Sequence, residues 1–293
     1  MEEKIIQRLV FLDIDGTLLD SDGTIPPSAL SACRLARMKQ HKLFICSGRP
    51  RSIISDAVLL IGFDGIISSG GAHIEIGNTT GSIPFYGKVI FDAVMPETTI
   101  KRVISYLNER KCGFFLEKNN EILSNKHLIS YLEDRKAYFS GTPKAEIFDF
   151  LIKRTMKNPL VENSDEFYHI GVNKIVFAEC EGLSFSDIHG AFSKECEIFR
   201  GSISYFGKES GEMSPIGIHK GSALKTIAEY YETKMENTIA IGDSDNDYPM
   251  IKCAGLGIAM GNADPELKEV ADDITTSLKE NGIFNAFQKY ELI

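Results

Sequence analysis

The stretch Leu9-Val10-Phe11-Leu12-Asp13-Ile14-Asp15-Gly16-Thr17-Leu18-Leu19 decides the fold. Its opening, Leu9–Ile14, reads as the strand-like apolar run expected of a parallel strand buried on both faces. Two carboxylates lie two residues apart, followed by a glycine that lets the chain turn sharply without a Cβ. Working outward, Pro26-Pro27-Ser28 opens a helical stretch to about Gln40, and Lys42–Cys46 is a second short apolar run. A Gly-Arg-Pro break leads to another helical stretch, Ser52–Leu60, and Gly65–Ser68 is a third strand candidate. This alternation predicts a parallel sheet with right-handed crossovers.

The far end repeats the pattern. Gly221–Tyr231 is helical, Thr238–Ile241 is an apolar run, Tyr248–Cys253 is a short helix and Leu256–Met260 is another strand. Between the two ends, from about Pro84 to Glu209, the texture changes. Longer helices (Glu97–Arg110, Ala145–Met156) and strands of alternating character (Asn173–Ala178, Ile198–Tyr205) carry most of the aromatics. Gly and Ser gather at both borders, around Gly77–Ser82 and Gly207–Gly211. The expected organisation is an α/β, doubly wound parallel-sheet core made of residues 1–83 and 210–293, interrupted by an inserted α+β cap domain at 84–209.

Composition sets the outer bounds. A length of 293 residues suits two domains, and 43% hydrophobic with 25% charged residues excludes a disordered or collagen-like chain. Lys plus Arg number 32 against 41 Asp plus Glu, a formal net charge of −9. A negative surface repels phosphate backbones and argues against nucleic-acid binding, although a single phosphate feels a local site. No stretch approaches the ~18 consecutive apolar residues of a membrane span. Met1–Gln7 lacks the apolar region of a secretory signal, and six scattered cysteines without a CxxC pair read as reduced. A cytoplasmic location is expected.

Ligands of open parallel sheets sit at the carboxyl ends of the strands. Asp13-Ile14-Asp15-Gly16-Thr17 follows the first run, Ser47-Gly48-Arg49-Pro50 the second, and Gly242-Asp243-Ser244-Asp245-Asn246-Asp247 follows Thr238–Ile241. Lys220 opens a helix in His219-Lys220-Gly221-Ser222. At least four carboxylates would converge on one sheet edge and repel one another, which implies a hard divalent cation such as Mg²⁺. With a metal holding a phosphate, one carboxylate can attack phosphorus and a second can supply and retrieve a proton. A hydroxyl from Ser47 and a cation from Lys220 suit phosphoryl transfer, which needs positioning and charge neutralisation.

Each element alone also has a plain structural reading: Asp-x-Asp as a turn or cap, Lys220 as a solvated lysine, Asp243–Asp247 as an acidic turn. A calcium loop fails, because its sixth position is Tyr248 and its twelfth Ala254. A cysteine phosphatase built on Cys46 fails because Ser52 stands where an arginine is required. In the insert, Arg102, Arg110, Lys118, Lys126, Arg135 and His169 are candidates for binding substrate charge, each with the plain alternative of a solvated surface group.

In order, the four elements resemble the signature of the haloacid-dehalogenase-like superfamily of phosphohydrolases. Phe11–Leu19 matches its DxDGTL motif. Cys46-Ser47-Gly48-Arg49-Pro50 is similar to the second motif, Lys220-Gly221-Ser222-Ala223-Leu224 to the third and Gly242–Asp247 to the fourth. The last two, with Gly261-Asn262-Ala263, resemble the Cof-type subgroup, the type IIB phosphatases, whose cap lies between the second and third motifs. The resemblance implies Asp13 as nucleophile and Mg²⁺ ligand, and Asp15 as acid/base with its backbone carbonyl on the metal. It implies Ser47, Gly48, Lys220 and Asn246 as phosphate-binding residues. Asp243 would be a direct metal ligand and Asp247 its support, through Lys220 or a metal-bound water. Gly70 stands where the subgroup has Asn. The implied activity is Mg²⁺-dependent hydrolysis of small phosphate monoesters, a sugar phosphate or phosphorylated cofactor, with a cap that selects the leaving group. Phosphotransfer to a sugar hydroxyl and non-catalytic phosphate binding remain open alternatives. The expected partner is a small phosphorylated metabolite, with no nucleic acid or membrane, and the expected state is a monomer or weak homodimer.

Overall fold

The computed structural model describes residues 6–77, 87–118, 121–161, 171–201 and 204–293. The chain divides into two compact units, one formed by both ends up to Asp92 and from Ile218, the other by Ala93–Gly217. The first begins with β1 (Leu9–Leu12), wholly buried, then α1 (Pro27–Met38) and β2 (Lys42–Cys46). Pro27 starts α1 at a position where its missing N–H costs nothing. Ala29, Ala32, Cys33 and Ala36, spaced at three and four residues, form its buried stripe. The helical stretch expected at Ser52–Leu60 is instead a 3₁₀ turn, Arg51–Ile53, and a short helix, α2 (Asp56–Leu59). The interruption falls at Ile54 and Ser55, both extended, so the two pieces cannot merge. Strands β3 (Gly65–Ser68), β4 (His73–Ile76) and β5 (Lys88–Asp92) follow.

The second unit carries α3 (Glu97–Glu109), β6 (Phe114–Glu117), β7 (Ile122–Ser124), α4 (Lys126–Tyr138), α5 (Pro143–Thr155), β8 (Lys174–Phe177), α6 (Phe185–Phe192), β9 (Cys196–Arg200) and β10 (Gly211–Pro215). Its five strands lie in the order β7-β6-β8-β10-β9 and all pair antiparallel. Phe114, Leu116, Ile175, Phe177 and Met213 join α3 and α6 in one apolar cluster. Phe115, Val176 and Ala178, at the alternate positions, join α4 and α5 in another. Lys174 on β8 lies buried between Glu117 and Glu212 on the flanking strands, Nζ at 3.4 and 3.0 Å from their carboxylates. The strand expected at Ile198–Tyr205 starts earlier, at Cys196, and ends at Arg200. The expected return to the core at residue 210 differs as well, because Gly211–Pro215 pairs with β8 and β9. At the other border, β5 pairs with β4 in the first unit, so residues 88–92 extend its sheet. The expected boundary at residue 84, and most of Gly77–Ser82, lie outside the described residues.

The chain then returns through α7 (Lys220–Tyr230), β11 (Thr238–Gly242), α8 (Tyr248–Cys253), β12 (Leu256–Ala259), α9 (Pro265–Val270), β13 (Asp273–Ile274) and α10 (Gly282–Lys289). The core sheet runs β13-β12-β11-β1-β2-β3-β4-β5, parallel through β3 with the last two strands antiparallel. β1 sits between β2 and β11, with Leu12 opposite both Ile45 and Ile241. This register aligns the carboxyl ends of three strands. Phe11 and Phe44 stack at 5.0 Å between ring centroids, α1 packs on α10 and α7 on α8. Among the described residues no helix is long and apolar enough to cross a membrane. The six cysteines are free.

His73, buried at the start of β4, faces a carboxylate from each ring nitrogen: Nε2 lies 2.9 Å from Glu75 and Nδ1 3.2 Å from Asp92. Burial works against its charge, but both carboxylates outweigh it and raise the imidazole above its ordinary 6.5. Stability from a raised histidine is fully present below that unfolded value and is lost as pH climbs through the folded one. His73→Gln is therefore expected to cost about 1–3 kcal/mol at pH 6 and distinctly less at pH 9.5. Urea melts at both values check this, and an equal deficit at both pH values would contradict it.

Candidate active site

Asp13 follows β1, and its backbone N–H donates to the Ile241 carbonyl at 3.1 Å, which ties it to β11. Its side chain is 4% exposed and accepts from Lys220 Nζ at 2.7 Å. The same ammonium donates to Asp247 Oδ1 at 2.6 Å, so one lysine bridges two carboxylates contributed by distant segments. Lys220 is placed by the first turn of α7. There His219 caps the helix, its Nδ1 accepting from Ser222 N at 3.1 Å while Ser222 Oγ accepts from His219 N at 3.0 Å. Gly71, at φ 112°, lets the loop after β3 press against that cap; a Cβ there would meet the His219 carbonyl at 2.5 Å.

Asp243 and Asp247 come from the loop after β11. Asp247 is fully buried, and its Oδ2 accepts the backbone N–H groups of Asp243 and Ser244 at 2.9 and 3.1 Å. Asp243 accepts from Thr17 Oγ1 at 2.8 Å. Gly16, at φ 84°, turns the first loop against it so closely that a Cβ would overlap the Asp243 carboxylate. Asp13, Asp243 and Asp247 bring carboxylate oxygens within 4.8 Å of one another. Burial, then repulsion from Asp247, pushes the Asp243 carboxyl up to about 7. Burial also raises Asp13 well above the carboxylate range despite Lys220. Lys220 itself is raised: burial opposes its charge, but Asp13 and Asp247 hold it as ammonium. One ammonium against three carboxylates leaves an excess of negative charge. An all-oxygen donor set with unneutralised charge fits a hard divalent cation.

Asp15 stands apart from that cluster. Both its oxygens are held by Arg49, Nε to Oδ2 at 2.8 Å and Nη2 to Oδ1 at 2.6 Å, a bidentate pair at the exposed rim. The metal role implied for Asp15 runs through its backbone carbonyl, so this pairing leaves it intact. Ser47 is buried beyond β2 and accepts from Arg49 N at 3.1 Å, with Gly48 between them. Asn246 is nearly buried and accepts from Ser244 Oγ at 3.2 Å. The structure thus gathers Asp13, Lys220, Asp243 and Asp247 in direct contact or close approach, and places Asp15, Ser47, Gly48 and Asn246 on the same three strand ends and their loops.

Three contributors were not assigned from the sequence: Arg49, Thr17 and Asn262. Each lies inside or beside a quoted motif, which was the available signal. Asn262 Nδ2 donates to the Gly16 carbonyl at 2.9 Å and its Oδ1 accepts from Leu278 N at 2.9 Å, bracing the first loop. Cys46 is buried, and burial drives its thiol well above the ordinary range, which removes it as a nucleophile. In the insert, Arg102 pairs with Glu195 and Lys118 with Glu121, while Arg110 stacks on Tyr106 at 3.6 Å. His169 lies outside the described residues.

A doubly wound sheet that sets buried carboxylates, a bridging lysine and a serine at the ends of its central strands has the build of a phosphate-processing hydrolase. The comparisons agree. Residues 10–287 match the profile of the haloacid dehalogenase-like hydrolases, and the chain belongs to that family, as a phosphatase-type enzyme of its Cof-type branch. It is 43% identical over 293 residues to the 5-amino-6-(5-phospho-D-ribitylamino)uracil phosphatase YcsE of Bacillus subtilis, covering 99% of this chain and 98% of that one. It is 25% identical over 300 residues to YwtE of the same organism, which has the same named activity, covering 94% and 95%. A solved HAD subclass IIB sugar phosphatase, BT4131, superposes with a TM-score of 0.78 at 23% identity, covering 98% of this chain and all (100%) of that one. That likeness shows the fold.

Proposed function

We propose that the chain hydrolyses a primary phosphate monoester on a polyol chain, through an aspartyl-phosphate on Asp13, with Mg²⁺ as cofactor. The carrying observation is the contact of Asp13 with Lys220 inside a three-carboxylate cluster. The named activity of the 43% identical relative supports a ribityl phosphate attached to a uracil ring as the substrate. Free cysteines suit a reducing, cytoplasmic compartment.

In this reading an Asp13 oxygen bonds to phosphorus as the bond to the ester oxygen breaks, and Asp15 gives its proton to that leaving oxygen. Asp15 then takes a proton from the water that attacks the acyl phosphate, which releases orthophosphate and restores Asp13. The Ser47 hydroxyl and the Lys220 ammonium hold phosphoryl oxygens, while Gly48 and Asn246 complete the cradle. Both Asp15 oxygens are engaged by Arg49, so each proton transfer requires one of those bonds to open. When bound, Mg²⁺ neutralises charge on the phosphate and the carboxylates; Asp13, Asp243 and the Asp15 carbonyl would hold it, with Asp247 in support.

The test is phosphate release from 5-amino-6-(5-phospho-D-ribitylamino)uracil, sugar phosphates, nucleotides and vitamin phosphates, with and without Mg²⁺. Mg²⁺-stimulated release is expected, with kcat/KM for the ribityl compound highest by about tenfold, a step of about 1.4 kcal/mol. No stimulated release from any ester overturns the phosphatase reading. A stronger preference for another ester overturns the substrate alone.

A further inference from the structure

β1, β11 and β12 are neighbouring parallel strands, and each releases a loop at the same sheet edge. The loops after β1 and β11 carry Asp13, Asp15 and Asp243. The loop after β12, with Gly261-Asn262-Ala263, supplies none of those groups, yet it is tied to both of its neighbours. To the β11 loop the ties are backbone: Met260 N donates to the Gly242 carbonyl and Asp264 N to the Asp243 carbonyl, each at 2.9 Å. To the β1 loop the tie is a side chain, Asn262 Nδ2 donating to the Gly16 carbonyl at 2.9 Å. Asn262 Oδ1 accepts from Leu278 N at 2.9 Å, and Leu278 is buried in the apolar core. A backbone carbonyl only accepts and a backbone N–H only donates, so these partners fix which way the amide faces. A carboxylate in its place could satisfy Leu278 but not Gly16.

The group that Asn262 holds adjoins a soft point in the chain. Gly16 has a φ of 84°, and glycine leaves the peptide that follows it several orientations. The peptide before it is already pinned, because Gly16 N donates to the Leu19 carbonyl at 2.8 Å, and in a planar trans peptide that also directs the Asp15 carbonyl. Asn262 pins the peptide after it, whose far side begins Thr17. Thr17 Oγ1 then donates to Asp243 Oδ1 at 2.8 Å. A path of contacts therefore runs from Asn262 through Gly16 and Thr17 to the Asp243 carboxylate, while Asp264 N holds the same residue's backbone. Asn262 is itself exposed, where water competes for its hydrogen bonds and their net contribution to folding is small. What the contact supplies is direction.

We infer that Asn262 is a positioning residue for the divalent cation: through the Gly16–Thr17 peptide it sets the Asp243 carboxylate against the loop that carries Asp13 and Asp15. The inference rests on Mg²⁺ as the cofactor, and it makes affinity for the metal the quantity that Asn262 controls.

The experiment is a titration of the full chain with Mn²⁺ in the absence of substrate, read from the electron paramagnetic resonance signal of the free ion. Asn262→Ala is expected to weaken Mn²⁺ binding on the order of tenfold, as loss of a group that orients a metal ligand does. Phosphate release run alongside should show the larger part of the loss in the Mg²⁺ concentration required, and the smaller part in kcat at saturation. Thr17→Val, which removes the next contact on the path, should weaken Mn²⁺ binding as well. The double variant should then bind no more than about twofold less tightly than the weaker single one, because two steps of one path do not add. Effects that multiply in the double variant, or an Asn262→Ala affinity within about twofold of the parent, overturn the inference. So does a urea melt in which Asn262→Ala is unfolded, since the contact then serves the fold. A parent chain that binds no Mn²⁺ overturns the cofactor reading itself; a parent that binds, with Asn262→Ala unchanged, overturns this inference alone.

Discussion

Asp13→Asn is expected to abolish Mg²⁺-stimulated phosphate release, with kcat falling on the order of 10⁴-fold or more, as when a covalent nucleophile is lost. The amide matches the carboxylate in shape but is a poor nucleophile towards phosphorus. Stability should move the other way. A carboxyl group raised on folding opposes the fold at neutral pH, because ionising it there costs more than in the unfolded chain. Removing that charge from a cluster with three carboxylates leaves the melting temperature unchanged or higher. The paired measurement is free-phosphate release with a thermal melt. Activity within tenfold of the parent would reject Asp13 as the nucleophile, and a lost fold would show that its charge is structural.

Lys220→Met is expected to damage both properties. The ammonium is 1% exposed and lies within 2.7 Å of Asp13 and Asp247, themselves buried. Without it, two adjacent carboxylates lose the cationic contact they share among the described residues, a type of change that costs about 3–5 kcal/mol. The sign with pH follows from the same charges. Without the ammonium the buried Asp13 carboxyl is raised further, so it withdraws stability as pH rises from the unfolded carboxylate range towards its folded value. The deficit should be greatest at pH 8 and smaller near pH 5. Denaturant melts at both values, together with phosphate release, test it. An undiminished kcat would exclude Lys220 from holding the transferring group, and a deficit independent of pH would mean packing, not charge, is lost.

The parts of the site legible in the sequence are those where an apolar run ends in polar residues. Leu9–Leu12 must be buried, so whatever follows emerges at a sheet edge, and Asp13, Ser47 and Asp243 could be placed from that alone. The pairing of Asp15 with Arg49 was not legible, because a loop's side-chain directions depend on backbone turns that no periodicity encodes. The brace from Asn262 to Gly16 joins residues 246 positions apart and leaves no local pattern. The same reason hides Lys174 between Glu117 and Glu212, which meet only once β6, β8 and β10 are paired. The Gly and Ser around Gly207–Gly211 place the boundary before Gly211–Pro215, whose Glu, Ser and Pro give little apolar signal; its pairing with β8 and β9 is tertiary.

The central position of β1, between β2 and β11, has a consequence for biosynthesis. Thr17 and its partner Asp243 are 226 residues apart, so the ribosome delivers one long before the other. At about 5–20 residues per second, the wait is roughly 11–45 s. Throughout that interval the nascent chain carries β1, entirely apolar from Leu9 to Leu12, with one hydrogen-bonding edge unclaimed. Chaperone dependence should therefore track translation speed across the insert, and premature termination before Thr238 would release a polypeptide prone to edge-to-edge aggregation.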